Sequence, residues 1–164
     1  MKLEELKMVD DINIEIYLNN VLEIKETMEH PEWLGDFSKE DIRNLFEMGS
    51  KIWMFYDQDH FVCSMMFIPG VEKDLTRYDL DIDYHQLCDY GPMMVHPNYR
   101  GNHLQEQMLD FLNQYAKEHG FHYVISTVAP ENSFSSNSFV RNGFDLYLVK
   151  EFKRGVRNVY MKKI

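Results

Sequence analysis

The succession between residues 86 and 128 limits the fold more than any other part of the chain. An apolar run, QLCDYGPMMV at 86–95, passes through HPNYRGN into a segment where Leu104, Met108, Leu109, Phe111, Leu112 and Tyr115 recur at helical spacing. Gly120 stops that helix, and the strand-like run HYVISTV follows at 122–128. A strand, a helix and a second strand in this order predict a crossover between parallel neighbours. Gly91-Pro92 interrupts the first run, and because proline brings no N–H to a ladder, it predicts a bulge or a lost ladder bond there. A strand that splays from its parallel neighbour leaves main-chain groups free to accept an extended ligand arm.

The flanking segments extend the pattern. LEELKMV reads as a first strand, and Ile12, Ile16, Leu18, Val21, Leu22 and Met28 space a helix over 12–28. Ser38 with Asp41 approximates a capping box ahead of a second helix that Gly49 ends. KIWMFY and FVCSMMFI form a hairpin across DQDH, and Pro69-Gly70 ends it. Residues 71–85 are polar, acidic and aperiodic, so a long loop with at most a helical turn is expected. After HYVISTV, a helix runs from Pro130-Glu131-Asn132 to Asn142 with Gly143 at its end, and FDLYLVKEF with VRNVYMKKI closes as a hairpin. The expected fold class is α/β with a mixed sheet, ordered β-α-α-β-β-β-α-β-α-β-β, with a splayed central strand pair.

At 164 residues and 45% hydrophobic, the chain is sized for one domain, residues 1–164, that buries roughly 70% of its unfolded surface. Cys63 and Cys88 lie in apolar runs without metal-ligand spacing, and the seven histidines lack it too, so no metal is expected. Reduced thiols, no signal peptide at the start and no apolar run near membrane-spanning length predict a cytoplasmic protein with no membrane partner. Net charge is −10, divided as −13 over residues 1–89 and +3 over residues 90–164. Nucleic acid is an unfavourable partner for the acidic half. A small anion suits the basic half and a cationic molecule the acidic one.

Arg100 and Gly101 sit between the strand run and the helix that follows. Arginine offers forked donors to phosphate, glycine allows close backbone approach, and the amides from Asn102 to Gln105 lie on the first turn. A pyrophosphate is a natural guest.

These residues resemble the Gcn5-related N-acetyltransferases. Their nucleotide motif, commonly V-x-P-x-Y-R-G-x-G, is matched in register by Val95, Pro97, Tyr99, Arg100 and Gly101. A second motif, Asn-x-x-Ala-x-x-x-Tyr-x-x-x-Gly-Phe, is echoed by Asn132, Ser135, Phe139, Gly143 and Phe144, and the element order agrees over almost the whole chain. The resemblance implies acetyl transfer from acetyl-CoA to a primary amine of a small molecule or peptide, by direct attack in a ternary complex. It implies that Met94 and Val95 offer backbone groups to the cofactor arm, that Arg100, Gly101, Asn102, His103, Leu104 and Gln105 cradle the pyrophosphate, and that Asn132, Ser135 and Phe139 belong to the cofactor site.

Two departures stand out. His103 and Gln105 replace the two small residues of the motif, which predicts a looser or shifted cradle, with Asn102 and His103 side chains as substitute donors. A helix-start residue need not have positive φ, so the replacement is expected to be tolerated. Phe139 stands where the family often has the tyrosine that protonates the leaving thiolate; Tyr147, Tyr90 and Ser136 are other hydroxyls, and the thiolate could leave unaided. For the base, Asp89 is the first choice, on the face of Val95 by the two-residue period, with His85 and His96 as alternatives. Asp74, Asp79, Asp81 and Asp83 could draw a cationic amine. A catalytically silent CoA-binding or regulatory member is the alternative function, and an exposed C-terminal hairpin edge suggests a homodimer.

Overall fold

A computed structural model describes residues 1–164. Eight strands and five α-helices form two compact units whose segments interleave along the chain: residues 1–68 with 91–108, and residues 69–90 with 109–164.

In the first unit, β1 (Lys7–Met8), β2 (Lys51–Asp57), β3 (His60–Pro69) and β5 (Met94–Val95) pair antiparallel in that order. The first strand is shorter than LEELKMV suggested, because only its last residues reach β2. Helices α1 (Ile14–Glu26) and α2 (Lys39–Glu47) pack Ile14, Tyr17, Val21, Ile24 and Ile42 against Ile52, Met54, Met66 and Met94. The capping box is present: Asp41 N–H donates to Ser38 Oγ at 3.0 Å, and Ser38 N–H to Asp41 Oδ2 at 2.8 Å.

In the second unit, β4 (Leu87–Tyr90) pairs parallel with β6 (Tyr123–Val128), which pairs antiparallel with β8 (Gly155–Lys163), and β8 with β7 (Asp145–Phe152). Residues 71–85 are more ordered than a loop. They hold α3 (Glu72–Arg77), which Asp74 starts by accepting the Val71 N–H at 2.9 Å, and a one-turn helix at Tyr84–Gln86. One sheet face buries Leu87, Ile125 and Val159 under Tyr78. On the other, Tyr90, Phe144, Phe139 and Tyr160 make an aromatic cluster with α5 (Ser133–Arg141). The edge strand β7 exposes Leu146, Tyr147 and Val149. Helix α4 (Leu104–Glu118) is contributed by both units. No helix is long and apolar enough to cross a membrane.

The Gly91-Pro92 interruption has the expected effect and a larger one. The parallel ladder of β4 with β6 ends at Asp89 opposite Ile125, and the run QLCDYGPMMV is split into two strands, β4 and β5. Asp89 and Val95 therefore belong to separate strands, and the two-residue period does not carry a common face from one to the other.

Candidate active site

The turn that carries Arg100 belongs to the first unit. β5 pairs with β3 along one edge only, Cys63 opposite Val95 and Ser64 opposite Met94. His96 N–H then donates to the Val62 carbonyl at 2.8 Å, and a one-turn helix at Pro97–Tyr99 reverses the chain. Arg100 is exposed in extended backbone, and Gly101 follows at φ +81° with open space where a Cβ would stand. The first hydrogen bond inside α4 is Gln107 N–H to the His103 carbonyl at 3.2 Å; the amides ahead of it have no acceptor within the helix. Arg100, a left-handed glycine and the free amides of a helix start are donors suited to an anion.

His103 has φ +54°, in the left-handed region. The expectation that a helix-start residue here need not have positive φ is therefore corrected: His103 adopts a backbone conformation that glycine takes without steric cost. Histidine bears the conformation with strain, its ring exposed and its Nδ1 3.8 Å from Glu106 Oε1. Replacing His103 with glycine should stabilise the protein by about 1 kcal/mol, read by chemical denaturation. Asn102 Nδ2 donates one hydrogen to the Tyr99 carbonyl at 2.9 Å, which leaves its second N–H. Leu104 and Gln105 are both buried, so their side chains turn inward while their amides remain on the turn.

The remaining predicted residues lie in the second unit. Asn132 caps α5, its Oδ1 accepting the Ser135 N–H at 3.2 Å. Phe139 is 2% exposed, edge-on to Phe144 at 5.0 Å and stacked with Tyr160 at 5.7 Å. Asp89 keeps part of its surface accessible, and no protein group bonds or pairs with its carboxylate. Burial, aided by the negative charge of Asp74 and opposed by Arg77, pushes the carboxyl up from 3.8 to about 7. An unpartnered carboxyl titrating near neutrality is matched to proton abstraction.

The other candidates for base are engaged. His96 Nδ1 accepts the Asn98 N–H at 3.2 Å and its Nε2 lies 3.7 Å from Glu23, whereas His85 is exposed and paired with Asp83 at 2.9 Å. In the acidic segment Asp74 starts α3, Asp83 holds His85 and Asp79 lies 3.6 Å from Lys150.

The acetyltransferase (GNAT) family model matches residues 18–144. The chain belongs to the GNAT acetyltransferase family. Its reaction class is acetyl transfer from acetyl-CoA to an amine. No curated protein matches the sequence. Among solved structures, a ribosomal-protein-alanine N-acetyltransferase from Brucella melitensis is similar in fold, with TM-score 0.73 at 14% identity over 98% of this chain and all of that one. YncA from Salmonella typhimurium, solved with its cofactor acetyl-CoA, gives 0.66 at 16% identity, covering 98% of this chain and 94% of that one. RimL, a ribosomal L7/L12 α-N-protein acetyltransferase in complex with CoA, gives 0.69 at 16% identity, covering 97% of this chain and 93% of that one.

Within this GNAT chain, Ser126 and Tyr160, near the predicted residues, escaped sequence reasoning. Ser126 Oγ donates to the Tyr90 carbonyl at 3.0 Å, just where β4 ends. Tyr90 donates its hydroxyl to Asn113 Oδ1 at 2.8 Å, and Tyr160 stacks on Phe139. A serine inside the apolar run YVISTV is the only signal that pointed to any of them.

Proposed function

We propose that residues 1–164 act as one domain that acetylates cationic primary amines, on small molecules or peptides, with Asp89 as general base. The observation that carries this reading is Asp89 itself: an unpartnered carboxyl, pushed up to about 7, on the strand that ends where the parallel ladder stops. The −13 charge of residues 1–89 supports a cationic acceptor through long-range attraction.

In this reading Arg100 meets the pyrophosphate of acetyl-CoA as a forked donor, and amides from Gly101 to Gln105 complete the cradle. The single paired edge of β5 leaves Met94 and Val95 with main-chain groups for the amide-bearing arm. Asn132, Ser135 and Phe139 join the cofactor site by motif position. Acetyl-CoA supplies a thioester whose carbonyl carbon accepts the amine. An ammonium cannot attack, so Asp89 takes the amine proton, directly or through a water.

Arg100→Ala tests the cofactor half. Loss of one charge-assisted contact should weaken acetyl-CoA binding by about 10- to 30-fold in isothermal titration, with the melting temperature unchanged because the side chain is exposed. Unaltered affinity would move the pyrophosphate elsewhere.

A further inference from the structure

We propose that the Tyr78 hydroxyl is a second hydrogen-bond acceptor for the incoming amine, beside Asp89, and that the two together select primary over secondary amines; the inference rests on Asp89 acting as base in the reading above.

Both groups stand on one face of the second unit's sheet. Tyr78 packs in one cluster with Leu87 of β4, Ile125 of β6 and Val159 of β8. Asp89 follows Leu87 by two residues and lies opposite Ile125, so the two-residue period sets it beside two members of that cluster. Tyr90 faces the other side, against Phe144.

The backbone and ring of Tyr78 are fixed from several directions. Tyr78 ends α3, its N–H donating to the Asp74 carbonyl at 2.9 Å. Two bonds from β7 hold that end in place: Lys150 Nζ donates to the Arg77 carbonyl at 2.8 Å and the Tyr147 hydroxyl to the Asp79 carbonyl at 2.7 Å. The ring lies 5.7 Å from that of Phe152, with the Arg77 guanidinium 5.3 Å from its centroid.

The hydroxyl, by contrast, is unused. Tyr78 is 2% exposed and its hydroxyl bonds to no protein atom, yet that oxygen is not sealed in as the partnerless hydroxyls of Ser50, Ser64 and Ser136 are. A phenol brought out of water without a partner costs stability, which points to an occupant from outside the fold. The Asp89 carboxyl is likewise unpartnered and partly accessible. Burial first, and the charge of Asp89 second, raise the phenol above its ordinary range, so it stays protonated at neutral pH.

Two accepting groups on one face suit a particular amine. A primary ammonium brings three N–H groups. Once Asp89 has taken one proton, two N–H groups remain for the Asp89 and Tyr78 oxygens while the nitrogen electron pair bonds to the acetyl carbon. The second proton leaves to solvent after the C–N bond forms, and the C–S electron pair departs with sulfur. Tyr78 neither gains nor loses a proton. A secondary amine keeps a single N–H at that stage and leaves one acceptor unpaired.

The test is Tyr78→Phe beside wild type, assayed for thiol release from acetyl-CoA with diaminobutane, spermidine and a lysine peptide. The fastest of these is compared with its counterpart methylated on the reacting nitrogen, and with an isomer methylated on the adjacent carbon, which has equal bulk and keeps every N–H. Wild type should favour the primary amine over the N-methyl counterpart by at least about 30-fold in kcat/KM while accepting the isomer. Tyr78→Phe should lose about 10- to 30-fold on the primary amine and shrink that preference to within about threefold. Because the hydroxyl has no partner in the free protein, the urea midpoint should stay at or above that of wild type and acetyl-CoA affinity should not change. An undiminished preference in the variant, a wild type indifferent to N-methylation, or a rate loss that tracks a lowered midpoint would overturn the assignment. No turnover of any of these amines by wild type, or full activity in Asp89→Asn, would instead overturn the reading beneath it.

Discussion

Asp89→Asn is expected to lower kcat by about 100- to 1,000-fold at pH 8 and, at the same pH, to make the protein more stable. The first effect follows from loss of the base that deprotonates the attacking amine. The second follows from linkage. The Asp89 carboxyl sits at about 7 in the folded protein against an ordinary 3.8, so the native state holds this proton more tightly than the unfolded chain does. Its contribution to stability is fully present below pH ~4, declines as pH rises toward 7 and is lost above it. Asparagine keeps the neutral form at every pH. Discounted for the part of Asp89 that remains accessible, the gain at pH 8 should be about 2 kcal/mol, falling to about zero at pH 4. Denaturation curves at the two pH values, beside steady-state rates, check both halves. In the wild type, the acid limb of kcat/KM should fall near pH 7. A variant that keeps its activity, or that is less stable than wild type at pH 8, would remove Asp89 from the mechanism.

Phe139→Ala should cost about 3–5 kcal/mol, the largest stability loss expected from a site substitution. The ring is 2% exposed and touches both Phe144 and Tyr160, so truncation leaves a cavity and removes two aromatic contacts. Phe139→Tyr, which keeps the ring, should preserve most of that stability. Urea midpoints measure this, and a loss under about 1 kcal/mol in Phe139→Ala would mean that the cluster is not packed as described.

These predictions draw unequally on what the sequence discloses. Local patterns were legible: the amphipathic run of α4, the Ser38–Asp41 capping box and the strand break at Gly91-Pro92 all express physics contained in a few neighbouring residues. The short β1 and the ordered 71–85 segment were not, because β1 pairs with β2 over only Lys7 and Met8 and α3 rests on one side-chain cap by Asp74. Asp89 was found by its place on the motif strand, but the face argument attached to it does not carry across the break at Gly91-Pro92 that splits the run into β4 and β5. His103 illustrates a subtler limit. Its residue type disguised a left-handed backbone that only the angle reveals. Tyr160 lay outside every motif, since its place beside Phe139 depends on the register of β8 against β6.

The measurement that tests the account most directly is amine-dependent release of free CoA thiol from acetyl-CoA by the purified protein, across primary amines of graded positive charge and a neutral amine of equal size. The account predicts turnover that rises with the charge of the acceptor, weakens at high salt and collapses in Asp89→Asn. Binding of acetyl-CoA with no thiol release above background for any amine, or a preference for neutral acceptors that salt leaves untouched, would contradict it.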